Sequence, residues 1–473
     1  MDRERSKSTT DNCFHNFASL LMDRILNPAT IHRTASAGKS DRNLTRSLGD
    51  AACFGGMVGC GETYFSAFAL AVGLSETASG LIASIPLLVG GVIQLVSPKA
   101  IAWIGGYQRW IVAGAVLQSL AFLPLAYAAW TGSLSIVMFL LIASVYWTAG
   151  LSTGPAWNTW IEQIVPVAGR ARFFSKRSRL QQICTFSGLM VAGLVLQWTS
   201  HQEIALTGFA GLFLVAAMLR LVSASFLHRT RNGSQVANHI EPPQKDVTEK
   251  PAEERVDDRS AIRLLAYLVA MQVFIQLSGP YFVPYMLGQL KFDYVVYVGL
   301  IALAFLSKVI SFAFWGRIAE ESGAAKVLWF GGIGLVPLAS LWIVSTNLIW
   351  LAIIQILSGI AWAAYELGFF LMFFETLPAK HRTRLLTYHN FANTLAICAG
   401  ALAGAAILAY WGTTSQTYYY LFGLSSAGRL LCLGLLVGAV LPKHSLKSIG
   451  MRVLSIRPGA GSVTAPIIAS AEE

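Results

Sequence analysis

Apolar residues in this chain fall in long unbroken blocks instead of recurring at the period of one helix or strand face, as in 111–130 (IVAGAVLQSLAFLPLAYAAW) and 325–345. A helix crossing the hydrocarbon core of a bilayer needs about 20 such residues. Twelve blocks meet that need, at 50–72, 77–97, 109–130, 134–157, 178–198, 204–227, 262–287, 294–315, 325–345, 348–373, 386–410 and 417–440. The pattern predicts an all-α polytopic membrane protein with twelve transmembrane helices. Residues 1–49 form a polar tail with no unbroken apolar core of a secretory leader. Within that tail Phe14, Phe17, Leu20, Leu21, Ile25 and Leu26 recur near helical spacing, which fits an amphipathic helix on the inner leaflet or a disordered tail equally well. Residues 228–260 are charged, proline-containing and aperiodic, and read as a linker between a six-helix bundle at 50–227 and a second at 261–441. Residues 442–473 read as a second tail.

Composition agrees: 55% of residues are hydrophobic and 12% charged, against about a quarter charged in soluble domains. The net charge of +11 raises nucleic-acid binding, but the placement of the charge argues against it. Lys and Arg crowd the first tail, the connection after helix 4 (Arg170, Arg172, Lys176, Arg177, Arg179), the 228–260 linker, the connection after helix 10 (Lys380, Arg382, Arg384) and the last tail. The alternate connections are nearly bare, with Lys291 the exception. Cytoplasmic loops hold the Lys/Arg excess, so both termini are expected in the cytoplasm, in a plasma (inner) membrane. Cys13, Cys53, Cys60, Cys184, Cys398 and Cys432 contain no CxxC pair, and no metal site is expected.

The two halves echo each other. Tyr64-Phe65 is matched by Tyr281-Phe282, Gly80-Leu81-Ile82-Ala83 by Gly299-Leu300-Ile301-Ala302, Pro166-x-x-x-Arg170-x-Arg172 by Pro378-x-x-x-Arg382-x-Arg384, and Arg220-Leu221 by Arg429-Leu430. The order is kept and the offset drifts from about 218 to 209 residues. A parallel repeat about an axis normal to the membrane is a transporter architecture, with the site between the repeats. Helix count, central linker and repeat together resemble the major facilitator superfamily over roughly residues 50–440. That family carries a loop motif G-x-x-x-D-R-x-G-R-K after helices 2 and 8. The second copy here runs Gly316-Arg317-Ile318-Ala319-Glu320-Glu321-Ser322-Gly323-Ala324-Ala325-Lys326, with Glu320 for the acid and Glu321 in place of Arg. The first, Ile104-Gly105-Gly106-Tyr107-Gln108-Arg109, lacks the acid. The resemblance implies two pseudo-symmetric six-helix bundles. It also implies a cytoplasmic gate in which Gly316, Arg317, Glu320, Gly323, Lys326, Arg170, Arg172, Arg382 and Arg384 take part; anchoring to anionic headgroups accounts for the four loop arginines equally well.

Ionisable groups inside a membrane are costly and mark function by default. Glu62 lies about twelve residues into helix 1, near the midplane by helical rise, between Gly59, Gly61 and Tyr64. It is the leading candidate for a proton or cation coupling site, or for the partner of a substrate amine. Lys308 and Glu366 lie at similar depths in helices 8 and 10, which suits an intramembrane ion pair. Tyr64, Asn158, Gln272, Gln276, Tyr281 and Glu366 complete the candidate solute- and ion-binding set; Pro280 and Pro284 weaken the ladder of helix 7. Arg220 and Arg429 read as structural. The chain has no Walker A, H-E-x-x-H or G-x-S-x-G sequence, so neither ATP-driven nor enzymatic chemistry is expected, nor a cofactor. The expected function is secondary active transport of a small solute by a monomer in the bilayer, coupled to protons or Na+. Drug/proton efflux is an alternative mode, made less favoured by the lack of the Gly-Pro signature of family antiporters in helix 5. A non-transporting assembly factor or sensor on the same fold is the alternative class.

Overall fold

The computed structural model describes residues 37–165, 170–230, 258–376 and 379–437, and all regular structure among them is helical. Twelve spans follow in order. The first is Ala37–Cys60 continued by Phe65–Ala71, and the second is Glu76–Ile82, Ile85–Ile93 and Ser97–Ile104. Spans 3 to 6 are Tyr107–Thr131, Ile136–Ile164, Arg170–His201 and Ala205–Arg229. Span 7 runs Asp258–Ser278 and on through turns to Gln289; span 8 is Tyr294–Ser322. Span 9 is Ala324–Leu335 with Leu341–Val344, and spans 10 to 12 are Leu348–Thr376, Ala379–Trp411 and Ser415–Val437. Ten of these among the described residues contain a stretch long and apolar enough to cross a bilayer. The other two are broken: the first at Gly61, the ninth around Pro337, which cannot donate to the ladder. The protein is thus an integral, multi-pass membrane protein.

Several helices outrun their apolar blocks. Spans 4, 8 and 10 have 29 residues each, about 43 Å at helical rise against a hydrocarbon core of about 30 Å. The extra turns are polar, so hydropathy misses them. For the same reason residues 37–49, read from sequence as tail, are helical. The rest of the first tail, the body of the linker (231–257) and residues 438–473 lie outside the described residues. From Asn43 onward the described chain packs as one unit.

The repeat is visible in the backbone. Span 1 breaks into a 3-10 turn at Glu62–Tyr64, and span 7 breaks into the same turn at Gly279–Tyr281, in the register that relates Tyr64 to Tyr281. Span 1 packs on span 5 and span 7 on span 11, each pair brought close by a missing side chain: a Cβ at Gly59 would overlap the Thr185 carbonyl, and one at Gly404 the Leu277 carbonyl. Lipid is as apolar as leucine, so helices associate through this kind of close packing. Span 3 packs on spans 4 and 6, span 10 on spans 8 and 9, and span 12 on span 7. Across the halves, span 5 meets span 8 and span 2 meets span 11. Successive spans are joined alternately at two ends. The bare end has the connections nearly free of Lys and Arg. The other, the basic end, turns from span 8 into span 9 at Gly323, whose φ of +88° suits a residue without a Cβ.

Candidate functional site

Glu62 opens the 3-10 turn that interrupts span 1 and is half-buried. Its Oε2 accepts a 2.6 Å hydrogen bond from the Tyr146 hydroxyl of span 4. From Tyr146 a polar chain leads through the bundle. The Tyr146 carbonyl accepts from Gln118 Nε2 at 3.3 Å, and Gln118 Oε1 accepts from Arg220 Nε at 2.9 Å. Arg220 Nη1 donates to Ser223 Oγ at 2.8 Å, which donates to Asp50 Oδ1 at 2.7 Å. Asp50 Oδ2 is bridged at 2.8 Å by Arg177, whose guanidinium also stacks 4.1 Å over Trp157. Spans 1, 3, 4, 5 and 6 thus share one network, running from the break in span 1 toward the basic end. Each link joins a donor to an acceptor, which is what tolerates charge in a low dielectric.

The second half carries a different arrangement. Lys308 Nζ donates to Glu366 Oε1 at 2.7 Å, with both residues buried, at 5% and 2% exposure. Arg429, the repeat partner of Arg220, donates to the Leu335 carbonyl at 2.9 Å and to Ser278 Oγ at 3.0 Å. Ser278 in turn pairs with Ser425 at 2.9 Å. Lys308 and Arg429 both line a cavity of about 130 Å³ between spans 7, 8, 9, 10 and 12.

The apolar core is common to both halves at the bare end and divides toward the basic end. One continuous apolar core takes in residues of all twelve spans, among them Tyr64, Phe68, Phe139, Tyr281, Tyr297 and Phe422. Toward the basic end the core divides into two clusters that do not merge. One lies on spans 3, 4 and 6 (Ile111, Trp160, Leu227), the other on spans 7 to 10 and 12 (Leu264, Ala319, Leu328, Met372, Leu436). Polar contacts also join the halves at the bare end. Glu76, at the first turn of span 2, accepts from Gln289 Nε2 at 2.9 Å and from the Tyr418 hydroxyl at 2.6 Å. Gln197 Oε1 accepts from the Val295 amide at 3.2 Å.

The candidates from sequence separate accordingly. Glu62 is joined to Tyr146 in the first half, and Lys308 to Glu366 in the second. Tyr64 and Tyr281 are fully buried in the apolar core shared by the halves at the bare end, their hydroxyls bonded to the carbonyls of Leu189 and Ala401. Tyr64 lies edge-on to Tyr297 of the second half, and Tyr281 lies against Gly80 of the first. Gln272 and Gln276 are buried; the Gln272 amide has no hydrogen-bond partner among the described residues. In the loop motif Gly316 is buried, Arg317 and Lys326 are exposed, and Gly323 makes its turn. The side chains of Asn158, Arg170, Arg172, Glu320, Arg382 and Arg384 lie outside the described residues. Sequence reasoning misses Asp50, Gln118 and Glu76. Asp50 and Glu76 stand at the edges of their apolar blocks, where a charge is unremarkable, and only the longer first helix puts Asp50 within the bundle.

No protein-family model matches the chain, and no curated protein matches it in sequence. Solved structures do match in fold. The nucleoside transporter NupG superposes with a TM-score of 0.61 at 10% identity, over 84% of this chain and 98% of its own. The D-xylose-proton symporter gives 0.61 at 14% identity, over 85% and 97%. A bacterial homologue of the iron transporter ferroportin gives 0.62 at 15% identity in an inward-facing state, over 86% and 99%. An outward-facing structure of such a homologue gives 0.53 at 14% identity, over 84% and 98%.

Proposed function

With the major facilitator fold as premise, we propose that the chain is a secondary transporter that moves a small solute by alternating access. One observation carries the reading: the apolar core is shared by both halves at one end and divided between them at the other. Such a molecule is sealed on one side and has a path for rocking on the other, because packed interfaces switch between discrete arrangements and do not deform continuously. With the basic end in the cytoplasm, as the Lys/Arg asymmetry predicts, this state is closed to the outside. The higher TM-score to the inward-facing ferroportin homologue than to the outward-facing one supports the same state.

In this proposal Glu62 is the coupling group. It sits where span 1 loses its regular ladder, and its bond to Tyr146 ties it to the network that ends at Asp50 and Arg177. A change of charge at Glu62 is therefore felt by side chains on five spans of the first half. The test is uptake of a solute panel into proteoliposomes holding the full chain, with and without a proton gradient. Saturable uptake of one solute class, accumulated only under the gradient, is expected. Flux at the level of protein-free liposomes for every solute, under both conditions, would argue for a non-transporting role.

A further inference from the structure

The two halves treat their matching arginines unequally. Arg220 reaches the carboxylate of Asp50 through the single hydroxyl of Ser223. The 217-residue offset that relates Tyr64 to Tyr281 carries Asp50 to Tyr267, a neutral residue whose buried hydroxyl has no hydrogen-bond partner among the described residues. Arg429 is 4% exposed, it donates to a carbonyl and a hydroxyl, and its Nε–H has no acceptor among the described residues. Glu366, one turn beyond Trp362 on span 10, is bridged to Lys308. Among the described residues, two cations, Lys308 and Arg429, line this cavity, and one carboxylate, that of Glu366, is bridged to the first of them. An uncompensated charge this deep in a membrane protein is costly, and an anion within the cavity would offset it.

The remaining walls define the rest of the ligand. Phe282, Trp342 and Trp362 make the cavity largely apolar and aromatic, and Ser358 adds a hydroxyl. About 130 Å³ is close to the size of an engineered protein cavity of about 150 Å³ that binds benzene. We propose that this cavity binds a small monocarboxylate with an apolar body about the size of one ring, its carboxylate held by Arg429 and Lys308. The inference deepens the transporter reading and rests on it for movement of the acid across the membrane; binding of the acid does not depend on it.

Full-length protein in nanodiscs, titrated calorimetrically and by the fluorescence of Trp342 and Trp362, tests it. The probes are benzoate, cyclohexanecarboxylate and 3-methylbutanoate, with benzamide and benzylammonium as neutral and cationic counterparts. At least one acid is expected to bind saturably, with benzamide about ten- to hundredfold weaker than benzoate, since a hydrogen bond to a charged group is worth that much. Arg429→Gln should bring benzoate down to the level of benzamide. Because that variant removes two structural bonds and can fail to fold, Ser358→Phe is the second arm: it fills the cavity, changes no charge, and should abolish binding of the ring acids. Equal affinity for benzoate and benzamide, benzoate binding indifferent to Ser358→Phe, or no saturable binding of any of the three acids would overturn the proposal. Acid binding without flux would leave it standing and remove the transporter reading. Flux of an uncharged or cationic solute without acid binding would do the reverse.

Discussion

Replacing Lys308 or Glu366 singly should destabilise the protein by about 3–5 kcal/mol, whereas the double variant Lys308→Met/Glu366→Leu should be nearly as stable as the parent. The two side chains are 2.7 Å apart and almost wholly buried. Each single change strands a charge in a medium where it has lost its water, and stranding that charge costs more than the lost attraction itself. Similar-volume apolar residues at both positions remove both desolvation penalties together. A thermal-unfolding cycle in detergent reads this out as a coupling energy close in size to the sum of the two single losses. Additive losses would mean that the pair does not act as a unit. The double variant also separates stability from function: it should fold, yet bind acids less well than the parent, because one of the two cations facing the cavity is gone.

Glu62→Gln should abolish concentrative uptake while leaving exchange of solute between equal concentrations largely intact. Exchange needs no net movement of the coupling ion, so with Glu62 in its proposed coupling role a neutral group there blocks only the uphill mode. The amide can still accept from the Tyr146 hydroxyl, so the 2.6 Å contact that positions the side chain survives and the fold should too. If Glu62 instead binds an amine on the solute, exchange and binding are lost together with uptake. Uptake to the parental gradient in this variant would remove Glu62 from both roles.

These sites are unequally legible in the sequence. Lys308 and Glu366 can be paired by counting residues in from helix ends, because a bilayer fixes depth and a helix converts residue number into distance. The breaks at Gly61 and at Gly279-Pro280 are legible as local chemistry, since glycine and proline weaken the ladder wherever they occur. The repeat is legible in four short matches and reappears as two 3-10 turns in one register. Pro337 breaks span 9 in the same way, yet it sits in an otherwise unbroken apolar block that reads as one helix. The Asp50–Ser223–Arg220–Gln118 chain is not legible, because its members come from spans 1, 3 and 6 and no periodicity links them. Tyr64 and Tyr281 stand out in the sequence as a matched pair. That they pack across the halves follows only from which side chains of the other half they meet.

The rocking of the halves that the proposed transport cycle requires can be read across a single pair of helices. Spans 5 and 8 meet across the halves and each runs from one end to the other, so spin labels on that pair report on both ends. Exposed positions 201 and 295 lie at the bare end, and 179 and 321 at the basic end. Double electron–electron resonance on the two labelled pairs should give a short distance at 201/295 with a longer one at 179/321 as one population. A second population with the order exchanged should grow as pH or solute is changed. A single, unchanging distance at both ends, under every condition that supports binding or flux, would contradict alternating access in this protein.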